Sequence, residues 1–182
     1  MKVIGVVGLP ASGKGEFSNI AAAMGIPVIV MGDMIRREVQ RRGLEPNDTN
    51  FGATANHLRA EGGMDAIAKL CIPEIRKQSA PLVLVDGIRG DAEVALFRSH
   101  FPGFILISID SSFDSRLRRI AARARSDDFT SAEALKNRDE REQKWGLLNA
   151  LNGADRHIRN EGTLEDYSAA VRALLAAIGR DP

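Results

Sequence analysis

The chain has 182 residues, 44% of them hydrophobic, with 25 Lys+Arg against 24 Asp+Glu and a formal net charge of +1. That length supports one well-buried core and excludes two large ones, and the even charge balance excludes the basic footprint of a nucleic-acid or membrane-surface protein. One cysteine, Cys71, excludes an internal disulfide and suits a reducing compartment; with no apolar stretch of membrane-spanning length and a start too short for a signal peptide, a cytoplasmic protein without a membrane partner is expected.

In chain order, the apolar run Val3 to Val7 predicts a first strand, and Glu16 to Met24 a helix. Between them lies Gly8-Leu9-Pro10-Ala11-Ser12-Gly13-Lys14-Gly15. A glycine-rich turn from strand to helix lets backbone N–H groups converge on an anion, the helix presents its positive end, and a lysine in this position reaches the outer phosphates of a nucleoside triphosphate. The spacing G-x-x-x-x-G-K in this context is a phosphate-binding P-loop. Gly15 stands where Ser or Thr usually follows the lysine to ligate Mg²⁺.

Pro27 to Met31 predicts a second strand, followed by a helix from Met34 to Arg42 with Asp33 as its N-cap. From Leu44 to Gln78 the signals are helical only, with Asp48-Thr49-Asn50 capping a helix to about Ala60 and another running from Met64 to Lys77. This stretch is expected to be a small helical insertion. Leu82 to Asp86 reads as a parallel strand buried on both faces. The helix Asp91 to Ser99, the strand Phe104 to Asp110 and a helix from Phe113 to Arg123 follow. A polar segment from Arg125 leads into a charged helix, Ala132 to Trp145; a short strand, Arg156 to Arg159, and a helix from Thr163 to Ile178, ended by Gly179, close the chain. Strands alternating with helices imply a single α/β domain over 1–182, with a parallel sheet whose ligands bind beyond the strands' carboxyl ends. Gly8, Asp33, Asp86, Asp110 and Asn160 fall at or past those ends.

Several of these segments resemble the adenylate kinases. Gly8-x-Pro10-x-Ser12-Gly13-Lys14-Gly15 is similar to their G-x-P-G-x-G-K-G-T, with Ala11 in place of a glycine and Glu16 in place of the threonine; Gly15 is ordinary for that family. Gly32-Asp33-Met34-Ile35-Arg36 resembles G-D-M-L-R, and Val85-Asp86-Gly87-Ile88-Arg89 resembles L-D-G-F-P-R without the proline. Arg119-Ile120-Ala121-Ala122-Arg123 is similar to R-I-x-x-R, and Arg125-Ser126-Asp127-Asp128 to the lid's R-x-D-D, with Arg138 or Arg141 as its later arginine. Ala154 to Glu165 is closer to the dephospho-coenzyme A kinases. The whole resembles an archaeal group of P-loop nucleotide kinase-like proteins related to both families. The resemblance implies a three-layer P-loop fold with a five-stranded parallel sheet in the order 2-3-1-4-5, an acceptor-binding helical insertion at about 33–79 and a short lid at about 125–141.

It also implies ATP as donor, Mg²⁺, and a nucleotide acceptor of undetermined identity. Residues 8–16 would cradle the donor phosphates through Gly8, Leu9, Pro10, Ala11, Ser12, Gly13, Lys14, Gly15 and Glu16, and Arg119 and Asn160 would edge the donor base. Arg36, Gly87 and Arg89 would bind the acceptor. Lys14, Arg89, Arg123, Arg125 and Arg138 would surround the transferring group, since phosphoryl transfer needs positioning and positive charge more than covalent help. Asp86 would hold Mg²⁺ through water. Asp33 either caps its helix or orients an acceptor hydroxyl, the second being what a dephospho-coenzyme A kinase requires; Glu16 either points away or binds Mg²⁺ through water. His57 and His157 lack a metal-ligand pattern, and Trp145 and Tyr167 are expected to pack. A nucleotide-binding regulator or slow ATPase is the competing class.

Overall fold

The computed structural model describes residues 1–123 and 132–180, less the side chains of Asp48 and Arg123. Five strands, β1 (Lys2–Val7), β2 (Val28–Val30), β3 (Leu82–Asp86), β4 (Ile105–Asp110) and β5 (Arg156–Arg159), pair in parallel in the order β2-β3-β1-β4-β5. Alternation along the strands builds a core on each face. Val3, Val7, Val83, Val85 and Leu106 face one side, where Ile67, Cys71, Ile75 and Phe97 cover them. Ile4, Val6, Leu84, Ile107 and Ile109 face the other, under Phe17, Ile20, Val171 and Leu175. Burying each such side chain contributes about 1.5–3 kcal/mol, so the central strands are held from both faces.

The helices are α1 (Lys14–Ala23), α2 (Met31–Arg41), α3 (Asp48–Gly62), α4 (Ala66–Arg76), α5 (Asp91–His100), α6 (Phe113–Arg123), α7 (Ala132–Gln143), α8 (Leu147–Asn152) and α9 (Leu164–Arg180). Three of them, α2 to α4, fill the span between β2 and β3. Among the described residues no helix is long and apolar enough to cross a membrane.

Four local expectations are corrected. Helix α2 begins at Met31, with extended Val30 at its N-cap position, so Asp33 lies inside the first turn and does not cap it. Asn47 caps α3, its side chain accepting from Asn50 N at 2.9 Å, in place of the Asp48–Asn50 stretch. The charged helix stops at Gln143, and left-handed Gly146 (φ 88°) starts the separate α8. Helix α9 continues through Gly179, while Thr163 behaves as expected: its Oγ1 accepts from Asp166 N at 3.1 Å and donates to the Asp166 carboxylate at 2.6 Å.

Candidate functional site

The P-loop is held open from behind. Arg116 Nη1 donates to Pro10 O at 3.1 Å, Arg119 Nη1 lies 3.5 Å from Ala11 O, Asn160 Nδ2 donates to Ser12 O at 2.8 Å, and the Tyr167 hydroxyl to Gly13 O at 3.1 Å. A trans peptide carries its N–H opposite its C=O, so these four outward carbonyls turn the amides of residues 11 to 14 the other way, that of Ser12 onto Leu9 O at 3.1 Å and those of Ala11, Gly13 and Lys14 toward a ligand. Gly13 has φ 116°, and a Cβ there would come within 2.4 Å of Asn160 Nδ2, so only glycine lets Asn160 approach. Ala11 accepts a left-handed φ of 61° without glycine's freedom.

Two residues expected at the donor base therefore stand behind the loop. Asn160 is buried and takes Asp110 O through its own N–H at 2.8 Å; its carbonyl accepts Arg119 Nη2 at 2.5 Å, while Arg119 Nη1 also donates to Ser111 Oγ at 2.7 Å. Arg116 and the hydroxyl role of Tyr167 escaped the sequence reading. Arg116 is one of four arginines between 116 and 123, and only its burial singles it out.

Lys14 Nζ donates to Gly8 O at 2.5 Å and Leu9 O at 2.9 Å. Burial, then the Arg89 charge, pulls its pKa down to about 7; Glu142 and Asp86 pull it up, and Arg138 lowers it further. Asp86 ends β3, and Ser18 Oγ donates to its Oδ2 at 2.8 Å. Ser18 thus brings a hydroxyl to the acid that the P-loop threonine position, here Glu16, does not supply. Four residues after Lys14, it shares that residue's face of α1, and this spacing is the signal by which the sequence could have shown it. Glu16 accepts Asn19 Nδ2 at 3.5 Å on its own helix.

A cavity of about 610 Å³ opens beside the loop, lined by Lys14, Gly15 and Asp86 together with Arg36, Gly87, Arg89 and Arg138. The structure brings these predicted residues together. Arg36 Nε and Nη2 donate to Asp33 Oδ1 at 2.9 and 2.5 Å, so Asp33 is engaged by its own helix. Arg89 Nη1 donates to Glu142 Oε2 at 2.6 Å, and Arg138 Nε to Glu142 Oε1 at 3.1 Å. Burial works to raise the Glu142 pKa, but Arg89, Lys14 and Arg138 outweigh it and hold the carboxyl below its usual range. Arg141 also lines the cavity; of the acids beside it on the helix, Asp139 pairs with Arg116 and Glu142 with Arg89 and Arg138. Arg125 lies outside the described residues, as does the side chain of Arg123.

Other cavity residues had no assigned role, or a different one. Arg59 stacks over the Trp145 ring, 4.5 Å from its centroid, and stands 3.6 Å from Glu93 Oε1. Glu93 is 1% exposed and accepts Arg89 N at 2.7 Å through Oε2, while Oε1 has no hydrogen bond among the described residues. Burial pushes its carboxyl up. Trp145, expected to be packing alone, and Phe51 give the cavity aromatic walls. Among the described residues no cluster of His, Cys, Asp and Glu forms a metal site; Asp86, in the cavity wall with Ser18 donating to it, is an acid suited to holding a hydrated divalent cation.

The family described as AAA domain matches residues 7–136. The chain is 60% identical to a UPF0200 protein of Methanoregula boonei across 100% of both chains, and 53% identical to one of Methanosarcina mazei over 97% of this chain and 95% of that one. In fold it is similar to TT1252 from Thermus thermophilus, with a TM-score of 0.68 at 19% identity over 97% of each chain. Shikimate kinase from Aquifex aeolicus superposes with a TM-score of 0.56 at 16% identity over 99% of each. The fold, a five-stranded parallel sheet in the expected order 2-3-1-4-5, is shared with that shikimate kinase.

Proposed function

The chain belongs to the UPF0200 proteins and the AAA domain family, and on that premise we propose that it is an ATP-dependent phosphotransferase moving the γ-phosphate to a nucleoside monophosphate or related nucleotide. One observation carries this reading: Lys14 and Gly15 of the P-loop border the same 610 Å³ cavity as Arg36, Arg89 and Arg138, so one enclosure offers sites for two phosphate-bearing ligands.

The loop amides and Lys14 hold the donor's outer phosphates, while Arg36 and Arg89 hold the acceptor phosphate in planar, charge-assisted bonds. An ionised acceptor oxygen attacks the γ-phosphorus in line, and the bond to the β–γ bridging oxygen breaks, leaving the electron pair on the departing diphosphate. Arg138 meets the charge on the moving group; Arg123 and Arg125 are proposed for the same work. Mg²⁺, held by Asp86 through water, would neutralise triphosphate charge when bound. A phosphate oxygen needs no general base, which agrees with Asp33 being engaged by Arg36; a ribose hydroxyl would need one. Phe51 on the cavity wall offers a face for a ring.

The test is a thermal-shift screen of nucleoside monophosphates and dephospho-coenzyme A, each with and without a non-hydrolysable triphosphate, followed by phosphorus NMR of products. A true acceptor stabilises strongly only with the donor analogue present. A new β-phosphate on the acceptor, in addition to that of the donor's own diphosphate product, is expected. A 3′-phosphomonoester would move the assignment to the dephospho-coenzyme A kinase reaction, and ATP hydrolysis indifferent to every acceptor would move it to a nucleotide-driven regulator.

A further inference from the structure

Helix α7 is fastened to the body of the molecule by two ion pairs. Asp139 takes Arg116 in a two-pronged pair, Nη1 to Oδ1 at 2.8 Å and Nη2 to Oδ2 at 2.7 Å, and the Arg116 side chain is 3% exposed. The same Nη1 donates to Pro10 O of the P-loop. Three residues along, and so on the same side of α7, Glu142 accepts Arg89 through one oxygen and Arg138 through the other; its side chain is also 3% exposed. Past the helix end, the Trp145 carbonyl lies so near Gly90 that a Cβ there would come within 2.0 Å of it, and Asn149 Nδ2 donates to Asp91 Oδ2 at 2.8 Å. The turn after α7 therefore sits directly on the loop carrying Arg89.

We propose that Glu142 is a positioning residue whose carboxylate sets Arg89 and Arg138 at a fixed separation beside Lys14, with Asp139 anchoring the helix that carries it. This rests on the phosphotransferase reading of the same cavity. Three cations gathered in one enclosure repel one another, and long side chains relieve that repulsion by swinging apart. A buried carboxylate with one oxygen on each guanidinium prevents it. Arg89 spends only Nη1 on Glu142, so the rest of its fork stays available to a phosphate. Through Arg116 the same helix is tied to the P-loop, so donor cradle, acceptor arginine and Arg138 keep one geometry.

The experiment compares the wild-type chain with Glu142→Gln and Glu142→Asp. For Glu142→Gln the expectation is a loss in kcat of about 100-fold, from misplaced arginines. Donor-analogue affinity at a pH below both proteins' midpoints should stay within about threefold, since Lys14 is charged there in both. A second readout is the pH midpoint of donor-analogue binding, set by Lys14 among Arg89, Glu142, Asp86 and Arg138; removing the Glu142 charge moves that midpoint to lower pH. A purely structural residue would lower thermal stability while leaving both the midpoint and the kcat of the folded fraction unchanged, and that result overturns the proposal. Should Glu142→Gln not fold, Glu142→Asp decides: a retained midpoint with kcat about tenfold lower supports positioning, and wild-type kcat refutes it. If the wild-type chain transfers phosphate to no acceptor, the phosphotransferase reading falls, and the pH midpoints still decide whether Glu142 sets the charges around Lys14.

Discussion

Lys14 is where residue chemistry is most exposed to test. With its pKa pulled down to about 7, chiefly by burial, it is only about half protonated at neutral pH before a ligand arrives. A triphosphate favours the charged form, so binding is expected to take up about half a proton at pH 7 and close to one by pH 9, and affinity to fall as pH rises through that range. Calorimetry in buffers of different ionisation enthalpy measures the uptake, and Lys14→Met should remove it. The same shift has a stability consequence: from pH 7 to the ordinary lysine value near 10.4 the unfolded chain binds more protons than the folded one, so this group's contribution raises stability with pH across that window. Ala11 offers a second test. Its left-handed φ costs about 1–2 kcal/mol, more than glycine's extra chain entropy, so Ala11→Gly is expected to stabilise the protein by about 0.5–1 kcal/mol in chemical denaturation. The P-loop residues were legible from sequence because their function requires fixed spacing. Arg116, Glu93 and Glu142 were not, since a buried charge looks like a surface one until its partner is found.

Among the elements, α7 is held by buried ion pairs as well as by buried Leu135. Arg116→Met removes the cation from a buried pair and leaves Asp139 without its guanidinium, an expected loss of about 3–5 kcal/mol in denaturant unfolding. Pairing it with Asp139→Leu should recover most of that loss, because burying neither charge avoids the desolvation cost. If the single change costs no more than a surface substitution, α7 is held by something other than this contact. The strands were readable because parallel strands covered on both faces form continuous apolar runs, as Leu82–Asp86 does with the boundaries expected. Helix ends were less so. Asp33 had the residue type of a cap, but the chain turns into α2 two residues earlier; the break after Gln143 depends on Gly146 adopting a left-handed φ beside Asp91.

At the scale of the molecule, the sheet order gathers residues up to 131 positions apart, from Lys14 to Trp145, around one cavity. Its two proposed ligands should be separable. Lys14→Ala is expected to abolish tight triphosphate binding, whereas Arg89→Ala should leave donor affinity within a few-fold and weaken the acceptor by about 10- to 100-fold, the worth of one charged hydrogen bond. Calorimetry with each ligand alone measures both; equal loss of donor affinity in the two variants would sink the division of labour.

What the sequence determined by itself was the fold class and the position of the P-loop, because hydrophobic period and glycine spacing are local properties written along the chain. Only the tertiary structure decided which charges meet. Arg119 and Asn160 behind the loop, Ser18 on Asp86, and Glu142 between Arg89 and Arg138 are contacts between distant segments, and whether an ionisable group is a solvated ornament or a buried partner depends on neighbours that folding alone supplies.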